Sequence, residues 1–330
     1  MDTGNCTTLP TALMVDFAEL LCDTIAGADW AFFAKNGGDT TSLAMRVARA
    51  ATGRDKAILF TGHYHGVAPW TQKLGHPGIT AADVGNNLYA TWGDLEGLRR
   101  IVESHPGEIA ILMATPYHHP VFEDNALPDP GWWAAVRRLC TDHGIVLAID
   151  DVRAGFRLDN RGSAAHYGFD ADLQCYRKAL ANGWNVSALV GVDALRSAAG
   201  SVMYTGSSWL SSVPFAAGLA TVRKLREVDG ASRMLAMGRT LTEGLRSAGA
   251  EHGFDLRISG EPSMWYMRIA NDDLMLHQEW VAECVKRGVF FTSHHNLFMN
   301  LAITDGDIAH TLEVAHEAFG VVARAHPEIA

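Results

Sequence analysis

The first two thirds of the sequence alternate between short apolar runs and amphipathic segments, and this rhythm restricts the fold more than any other feature. The segments Lys56–Phe60, Ile109–Ala114 and 145–149 have the length and composition of buried strands. Between such runs the periodicity is helical, as in 39–51, where apolar residues recur at every fourth position. Strands that alternate with helices predict an α/β fold with a mostly parallel central sheet and helices on both faces.

The pattern changes near residue 228. After that point the segments predict a smaller α+β unit, with helices at 231–247, 274–287 and 305–323 and strands at Met264–Ile269 and 289–292. A chain of 330 residues exceeds one ordinary domain and suits two. We therefore expect a large domain at 1–227 and a small C-terminal domain at 228–330.

Composition and charge exclude several classes of protein. With 48% hydrophobic and 19% charged residues, the chain has the composition of a soluble globular protein. The net charge of −10 argues against nucleic acid and anionic membranes as partners. No apolar run approaches the roughly 18 residues of a membrane span, and the first residues do not have the pattern of a signal peptide.

Cysteine and histidine usage gives no sign of a disulfide framework or a metal site. The cysteines are odd in number, scattered and without a Cys-x-x-Cys pair: Cys6, Cys22, Cys140, Cys175 and Cys284. This usage predicts reduced thiols in a cytoplasmic protein. The tightest histidine groups, His63-x-His65 and His118-His119, do not have the carboxylate or the helical spacing typical of metal ligands. No metal is expected.

Asp150 and Lys178 form the most informative pair of residues. Asp150 ends the apolar run 145–149, and Lys178 follows 28 positions later on the next connection. Pyridoxal phosphate (PLP) needs such a pair, because an amine forms a Schiff base with its aldehyde while a carboxylate keeps its pyridine nitrogen protonated. The pair alone also fits a solvated lysine and a strand-end aspartate held by Arg153 or Arg157. In an open parallel sheet, both residues would lie at the carboxyl edge, where ligands bind.

Three further segments suit the same cofactor. Gly37-Gly38-Asp39 leads into a predicted helix, where small residues and free N–H groups can bind a phosphate, although a tight turn is the alternative. Tyr64 follows the strand Lys56–Phe60 and can either stack on a flat heterocycle or lie on the surface as a loop aromatic. Val152 projects on the same side as Asp150, because strand side chains alternate, and would pack under the ring.

Taken together, the motifs resemble those of the class III aminotransferases, a family that includes glutamate-1-semialdehyde aminomutase. Residues 150–157 are similar to the family's D-E-V-x-x-G-F-R, and residues 48–56 to its A-R-x-x-T-G-R-x-K. The segments 63–66 and 177–180 resemble C-Y-H-G and G-K-A-L, and 286–289 and 304–308 resemble parts of its C-terminal domain. The similarity runs in order through nearly the whole chain.

This resemblance implies PLP fold type I and a set of roles around the cofactor ring. Lys178 would be the Schiff-base lysine and would carry a proton between the substrate Cα and the cofactor C4′. Asp150 would pair with the pyridine nitrogen. Val152 and Tyr64 would lie on the two faces of the ring.

The resemblance also implies a phosphate site and a homodimer with active sites at the subunit interface. The amides of Gly37, Gly38 and Asp39 would hold the phosphate, and Ser207 would contribute its hydroxyl to the neighbouring subunit's site. Some positions depart from the family pattern. Asp39 stands where a threonine is common, so its carboxylate must turn away from a phosphate, for example to cap the helix. Thr115 and Asp151 each replace a glutamate, and the family's initial segment has no counterpart in this chain.

The implied function is that of a PLP-dependent aminotransferase, which moves an amino group between an amine or amino acid and a carbonyl compound. One alternative is a 2,1-aminomutase of the glutamate-1-semialdehyde type, which uses the same residues and differs in its substrate contacts. The other is a non-catalytic homologue that keeps the PLP fold without the family's initial segment. The expected partners are small-molecule amines and carbonyl compounds and a second copy of the chain, with neither nucleic acid nor a membrane.

Overall fold

The computed structural model describes residues 9–272 and 274–327. These residues form two compact units. The first unit comprises the described residues up to Pro116 together with Pro128–Val228, and the second comprises Tyr117–Leu127 together with the described residues from Asp229 onward. Within this part of the chain, none of the helices combines the length and the apolar character needed to cross a bilayer.

Strands and helices alternate through the described part of the first unit. Its strands are β1 (Trp30–Ala34), β2 (Lys56–Phe60), β3 (Asn87–Ala90), β4 (Ile109–Ala114), β5 (Val146–Asp150), β6 (Leu173–Tyr176) and β7 (Ser187–Gly191). Its α-helices are α1 (Ala12–Thr24), α2 (Gly37–Thr52), α3 (Ala81–Val84), α4 (Leu95–Glu103), α5 (Trp132–His143), α6 (Ser163–Tyr167), α7 (Arg196–Ser201) and α8 (Ser212–Glu227). Short 3-10 helices lie at Pro69–Thr71, Lys178–Ala181 and Asp193–Leu195.

The strands form one sheet in the order β1-β7-β6-β5-β4-β2-β3. Strands β3, β2, β4, β5 and β6 are parallel, whereas β7 is antiparallel to both of its neighbours, β6 and β1. Strand β1 therefore runs in the same direction as β6. The carboxyl ends of β1, β2, β4, β5 and β6 meet at one edge, which we call the carboxyl edge. The predicted mostly parallel central sheet is confirmed.

Apolar side chains pack on both faces of this sheet. Strands β4 and β5 are buried at every position. The alternating side chains of β2 divide between two cores, with Ala57 and Leu59 in one and Ile58 and Phe60 in the other. Each fully buried side chain of leucine or phenylalanine size stabilises the fold by about 1.5–3 kcal/mol. The residues that follow the strands therefore start from fixed positions.

The second unit combines three helices with a small antiparallel sheet in the order β10-β9-β8. Its described elements are α9 (Gly230–Ala250), β8 (Leu256–Glu261), β9 (Met264–Ile269), α10 (Met275–Lys286), β10 (Leu297–Phe298) and α11 (Asp305–Ala325). Its core includes Trp280, whose ring stacks on that of Phe319 with centroids 4.6 Å apart. This unit has the α+β character expected of the C-terminal region.

Two details of the second unit differ from the sequence prediction. The prediction of a strand at 289–292 is wrong. Phe291 is buried and its ring stacks on that of Trp280, with centroids 5.2 Å apart, whereas Phe290 is 77% exposed. This segment therefore packs on a helix through Phe291 and does not pair with another strand. The strand that pairs with β9 is instead β10, at Leu297–Phe298.

The segment Tyr117–Leu127 belongs to the second unit, although it precedes the rest of that unit by about a hundred residues in the sequence. The Tyr117 hydroxyl donates to the Met264 carbonyl oxygen, and the Asn125 N–H donates to Ser259 Oγ at 2.9 Å. The Asn125 amide group also donates to Asn296 Oδ1 at 2.7 Å. A single predicted boundary at 227/228 does not include this segment, since these bonds join residues that are distant in sequence.

Candidate active site

Asp150, the last residue of β5, is the most deeply buried acid of the predicted set. It is 5% exposed. Among the described residues, its carboxylate has two hydrogen-bond partners, the ring Nδ1 of His65 at 2.8 Å and the backbone N–H of Val152 at 3.1 Å. A buried carboxylate is stable only when it is paired. The structure therefore provides a partner that the sequence analysis, which considered Arg153 or Arg157, did not name.

His65 is a site residue that sequence reasoning missed. It is 3% exposed, and its carbonyl oxygen accepts a hydrogen bond from Thr41 Oγ1 at 2.7 Å. Its ring Nδ1 faces the carboxylate of Asp150 at 2.8 Å. The other ring nitrogen, Nε2, is buried and has no partner in the described structure. The available signal was its place in the loop after β2, because β2 ends at the same edge as β5.

Lys178 begins the short 3-10 helix that follows β6. Strands β5 and β6 pair with Asp150 opposite Cys175, so the lysine follows only three residues after the partner of Asp150. Its side chain is exposed at the open edge, yet surrounding atoms partly desolvate the ammonium group. This desolvation and the charge of Arg153 lower the pKa of Lys178 to about 8, while the charge of Asp150 opposes the change. More of the amine is therefore neutral, and nucleophilic, near neutral pH.

Gly37 and Gly38 begin α2 at the end of β1, two residues before the predicted helix start. A Cβ on Gly37 would lie 2.9 Å from Val152 Cγ1, so only glycine fits against this valine. The carboxylate of Asp39 turns back and accepts from the N–H groups of Asn36 at 2.7 Å and Lys35 at 3.2 Å. The carboxylate therefore caps the start of α2, as expected for an acid at this position.

Tyr64 and Val152 have different surroundings. The Tyr64 ring is 55% exposed, and the guanidinium carbon of Arg153 lies 5.9 Å from the ring centroid. Val152 is partly buried and packs against the core that contains α2 residues. Ser207 is exposed in the loop between α7 and α8. It stands outside the contacts that join His65, Asp150 and Val152 in the described structure.

Thr115, the residue expected to replace a family glutamate, follows the last residue of β4. It is 2% exposed, and its Oγ1 lies 3.0 Å from His63 Nδ1. The Thr115 backbone N–H also donates to this nitrogen, at 3.1 Å. At this point of the carboxyl edge the chain thus has a hydroxyl in contact with a histidine.

The sequence profile of the family "Aminotransferase class-III" matches residues 125–319. This chain belongs to that family. It is 40% identical over 322 residues to the aminopentol aminotransferase of Sphingopyxis macrogoltabida, a match that covers 97% of this chain and 76% of the relative. It is 29% identical to the glutamate-1-semialdehyde 2,1-aminomutase of Roseiflexus castenholzii, over 96% of this chain and 79% of that protein.

The structure is also similar to solved structures of this family. The PLP internal aldimine form of the FumI protein of Sphingopyxis sp. MTA144 superimposes with a TM-score of 0.95 at 39% identity, covering 99% of this chain and 79% of FumI. The predicted family, fold type I architecture, PLP cofactor and aminotransferase activity are thereby confirmed.

Proposed function

We propose that this PLP-dependent aminotransferase carries out its chemistry with Lys178 and Asp150 at the carboxyl edge of the large sheet. The observation that carries the proposal is the buried pair formed by Asp150 and His65, on the strand next to the one that leads into Lys178. The protein's own residues fit the cofactor, because Asp150 is a buried acid at the end of β5 and its charge acts on the Lys178 amine, whose pKa is lowered to about 8. Gly37 and Gly38 begin α2, where free backbone N–H groups can bind an anion.

When bound, PLP supplies an aldehyde for an amine and a ring that accepts electrons from a carbanion. Lys178 would provide the amine that holds the cofactor and would move a proton to and from the substrate Cα. Asp150 would keep a proton on the pyridine nitrogen, since a carboxylate beside that nitrogen opposes loss of the proton. The contact of His65 Nδ1 with Asp150 Oδ2 and the hydrogen bond from the Val152 N–H to Oδ1 would hold this carboxylate in position.

We propose that the remaining predicted residues complete the cofactor site. Tyr64 and Val152 would contact the two ring faces, and the backbone amides of Gly37, Gly38 and Asp39 would bind the phosphate at the start of α2. The Asp39 carboxylate does not oppose this role, because it is turned toward Asn36. Ser207 would reach the phosphate of a partner subunit, so the active protein would be a homodimer.

For the substrate, we propose a primary amine on a hydroxylated aliphatic chain as the donor, as the name of the 40% identical aminopentol aminotransferase suggests. The acceptor would be a small carbonyl compound. The contact between the Thr115 hydroxyl and His63 is consistent with a donor that has no carboxylate, because it places no glutamate at this point of the edge. A 2,1-aminomutase is the second candidate, supported by the 29% identity to such an enzyme over 96% of the chain.

We also propose that the predicted 1–227 and 228–330 regions act as the cofactor-binding and C-terminal domains, and that the protein is cytoplasmic. The described cysteines are free, and Cys140, Cys175 and Cys284 among them are buried, as suits reduced thiols. Cys6 lies outside the described residues.

The proposal is tested by spectroscopy and by product analysis. Protein mixed with PLP should absorb at about 410–430 nm and lose this band on borohydride reduction. Lys178→Ala should abolish both the band and turnover, while Lys224→Ala, at an exposed lysine paired with Glu227, should change neither. Turnover by Lys178→Ala equal to that of the wild type would disprove the assignment of this lysine.

Substrate choice needs a separate experiment. The protein is incubated with an aminopentol and a 2-oxo acid, and loss of the amine and gain of an amino acid are followed by mass spectrometry. We expect stoichiometric transfer between the two. Conversion of glutamate-1-semialdehyde to its isomer, without any transfer from the aminopentol, would favour the aminomutase.

A further inference from the structure

The loop that follows β5 encloses a tyrosine at the end of β6. Tyr176 is completely buried and lies two residues before Lys178. A Cβ on Gly155 would lie 2.6 Å from the Tyr176 ring, and one on Gly162, which has φ +100°, would collide with the Tyr176 hydroxyl. The ring of Phe156 also packs against it, with centroids 5.2 Å apart. The tyrosine is thus held directly between backbone segments where no larger residue fits.

Asp151, at the start of this loop, bonds to Ser163 at its end, and both lie close to the same tyrosine. The residue is 1% exposed, and its Oδ2 accepts from the backbone N–H of Ser163 at 2.9 Å. The Cβ position of Gly162 that collides with the Tyr176 hydroxyl is only 3.5 Å from Asp151 Oδ2, so the acid and the hydroxyl flank one glycine. The Tyr176 hydroxyl donates to Gln174 Oε1 at 2.9 Å. Burial raises the pKa of Asp151 to about 6.

The backbone after Tyr176 is strained in a way that calls for such support. Lys178 has φ +34°, in the left-handed region that residues with a side chain rarely adopt. Conformations of this kind persist only where the surrounding structure holds them. Asp150 and Asp151 are consecutive, so the acid proposed to hold the cofactor ring and the acid beside Tyr176 share one strand end.

We propose that Asp151, Tyr176, Gly155 and Gly162 form a clamp that positions Lys178 for attack on the cofactor aldehyde. The inference rests on the proposed role of Lys178. The clamp ties the loop that carries Asp150 and Val152 to the strand that carries Lys178. It thereby fixes the direction in which the amine leaves the sheet. Asp151 and Tyr176 act through Lys178 and touch neither substrate nor cofactor.

The position of Lys178 also governs its protonation. Desolvation lowers its pKa most, followed by the charge of Arg153. The charges of Arg157 and Arg177 lower it further, and only Asp150 raises it. If the clamp is loosened, the amine reaches more water, and its pKa should rise from about 8 toward the ordinary lysine value.

Schiff-base formation by the apoprotein measures both effects without any turnover. The amine nitrogen of Lys178 adds to the aldehyde carbon of PLP and water leaves, so the rate follows the neutral amine. Stopped-flow absorbance at about 410–430 nm is recorded from about pH 6 to about pH 10. The variants are Tyr176→Phe, Asp151→Ala and Asp151→Asn. The control is Tyr266→Phe, at a fully buried tyrosine of the second unit.

We expect Tyr176→Phe and Asp151→Ala to form the Schiff base about tenfold more slowly at pH 8, with a pH midpoint moved upward. Asp151→Asn should recover most of the rate, because an amide oxygen still accepts from the Ser163 N–H. Tyr266→Phe should match the wild type in rate and midpoint. Circular dichroism verifies that each variant is folded, and Tyr176→Phe decides the question if Asp151→Ala does not fold.

The outcomes separate the clamp from the proposed function. A wild-type rate and midpoint in Tyr176→Phe would overturn the clamp and leave the role of Lys178 intact. Failure of the wild-type protein to form the Schiff base would overturn both. Equal slowing in Tyr266→Phe would also overturn the clamp, since the effect would then follow from loss of any buried hydroxyl.

Discussion

Replacement of Gly66 by alanine would disturb the place where the loop after β2 meets the start of α2. Gly66 has φ +115°, and a Cβ there would lie 2.8 Å from the Cα of Gly38. The left-handed conformation costs a residue with a side chain about 1–2 kcal/mol. Gly38 Cα is backbone and cannot rotate away, so relief of the overlap costs about 1–3 kcal/mol more. The expected loss of stability is therefore about 2–5 kcal/mol.

A matched control separates the two contributions. Gly75 has φ +97°, and a Cβ there meets no atom within 4 Å, so Gly75→Ala carries the conformational cost alone. Urea unfolding of the apoproteins compares the stabilities, and a PLP titration compares the affinities. Because Gly38 must move in Gly66→Ala, we expect its PLP affinity to fall by about tenfold or more, a loss of at least about 1.4 kcal/mol. Gly75→Ala should keep the wild-type affinity.

Two results would refute this reasoning. Equal losses of stability in the two variants would show that the overlap with Gly38 does not contribute to the destabilisation. A wild-type PLP affinity in a destabilised Gly66→Ala would show that the Gly38 amide takes no part in cofactor binding, and the proposed phosphate site would then be wrong.

Three further predictions concern buried polar groups. Asp150→Asn should still bind PLP, but its kcat should be lower by about a hundredfold or more, because a neutral amide does not keep the ring nitrogen protonated. An unchanged kcat in steady-state kinetics would contradict this role. His65→Phe should lower stability by about 3 kcal/mol or more in urea unfolding at neutral pH, since it leaves a buried carboxylate without its ring partner. Burial lowers the pKa of His277 from 6.5 to about 4, so the unfolded chain binds more protons between these values and stability should fall as the pH drops through this range. The free energy of unfolding should fall by about 3 kcal/mol in total over this pH range. In His277→Leu, thermal unfolding at each pH should no longer show this decrease.

The strands that carry the site could be read from the sequence with accuracy. Strands β2, β4 and β9 have the predicted bounds, because each is a compact, largely apolar run whose burial is decided by its own residues. Asp150 and Lys178 could be placed at one edge for the same reason, since parallel strands end together. The resemblance to a known family then supplied the cofactor and the class of reaction.

Helix ends and isolated aromatic residues were harder to read. Helix α2 begins at Gly37 and not at residue 39, because the Asp39 carboxylate reaches back to Asn36. The apolar run at 289–292 was read as a strand, although Phe291 packs on Trp280 instead. In each case an adjacent side chain or a packed ring, and not the local pattern, decided the conformation.

The partners of the buried polar groups were decided by the tertiary structure alone. Asp150 binds His65, which lies 85 positions earlier in the chain, and Tyr176 packs against glycines of the preceding loop. Patterns of apolar residues show which segments become buried, because the tendency to be buried is a property of each side chain. Which acid meets which donor depends on the order and register of strands that are distant in sequence, and these exist only once the sheet has formed.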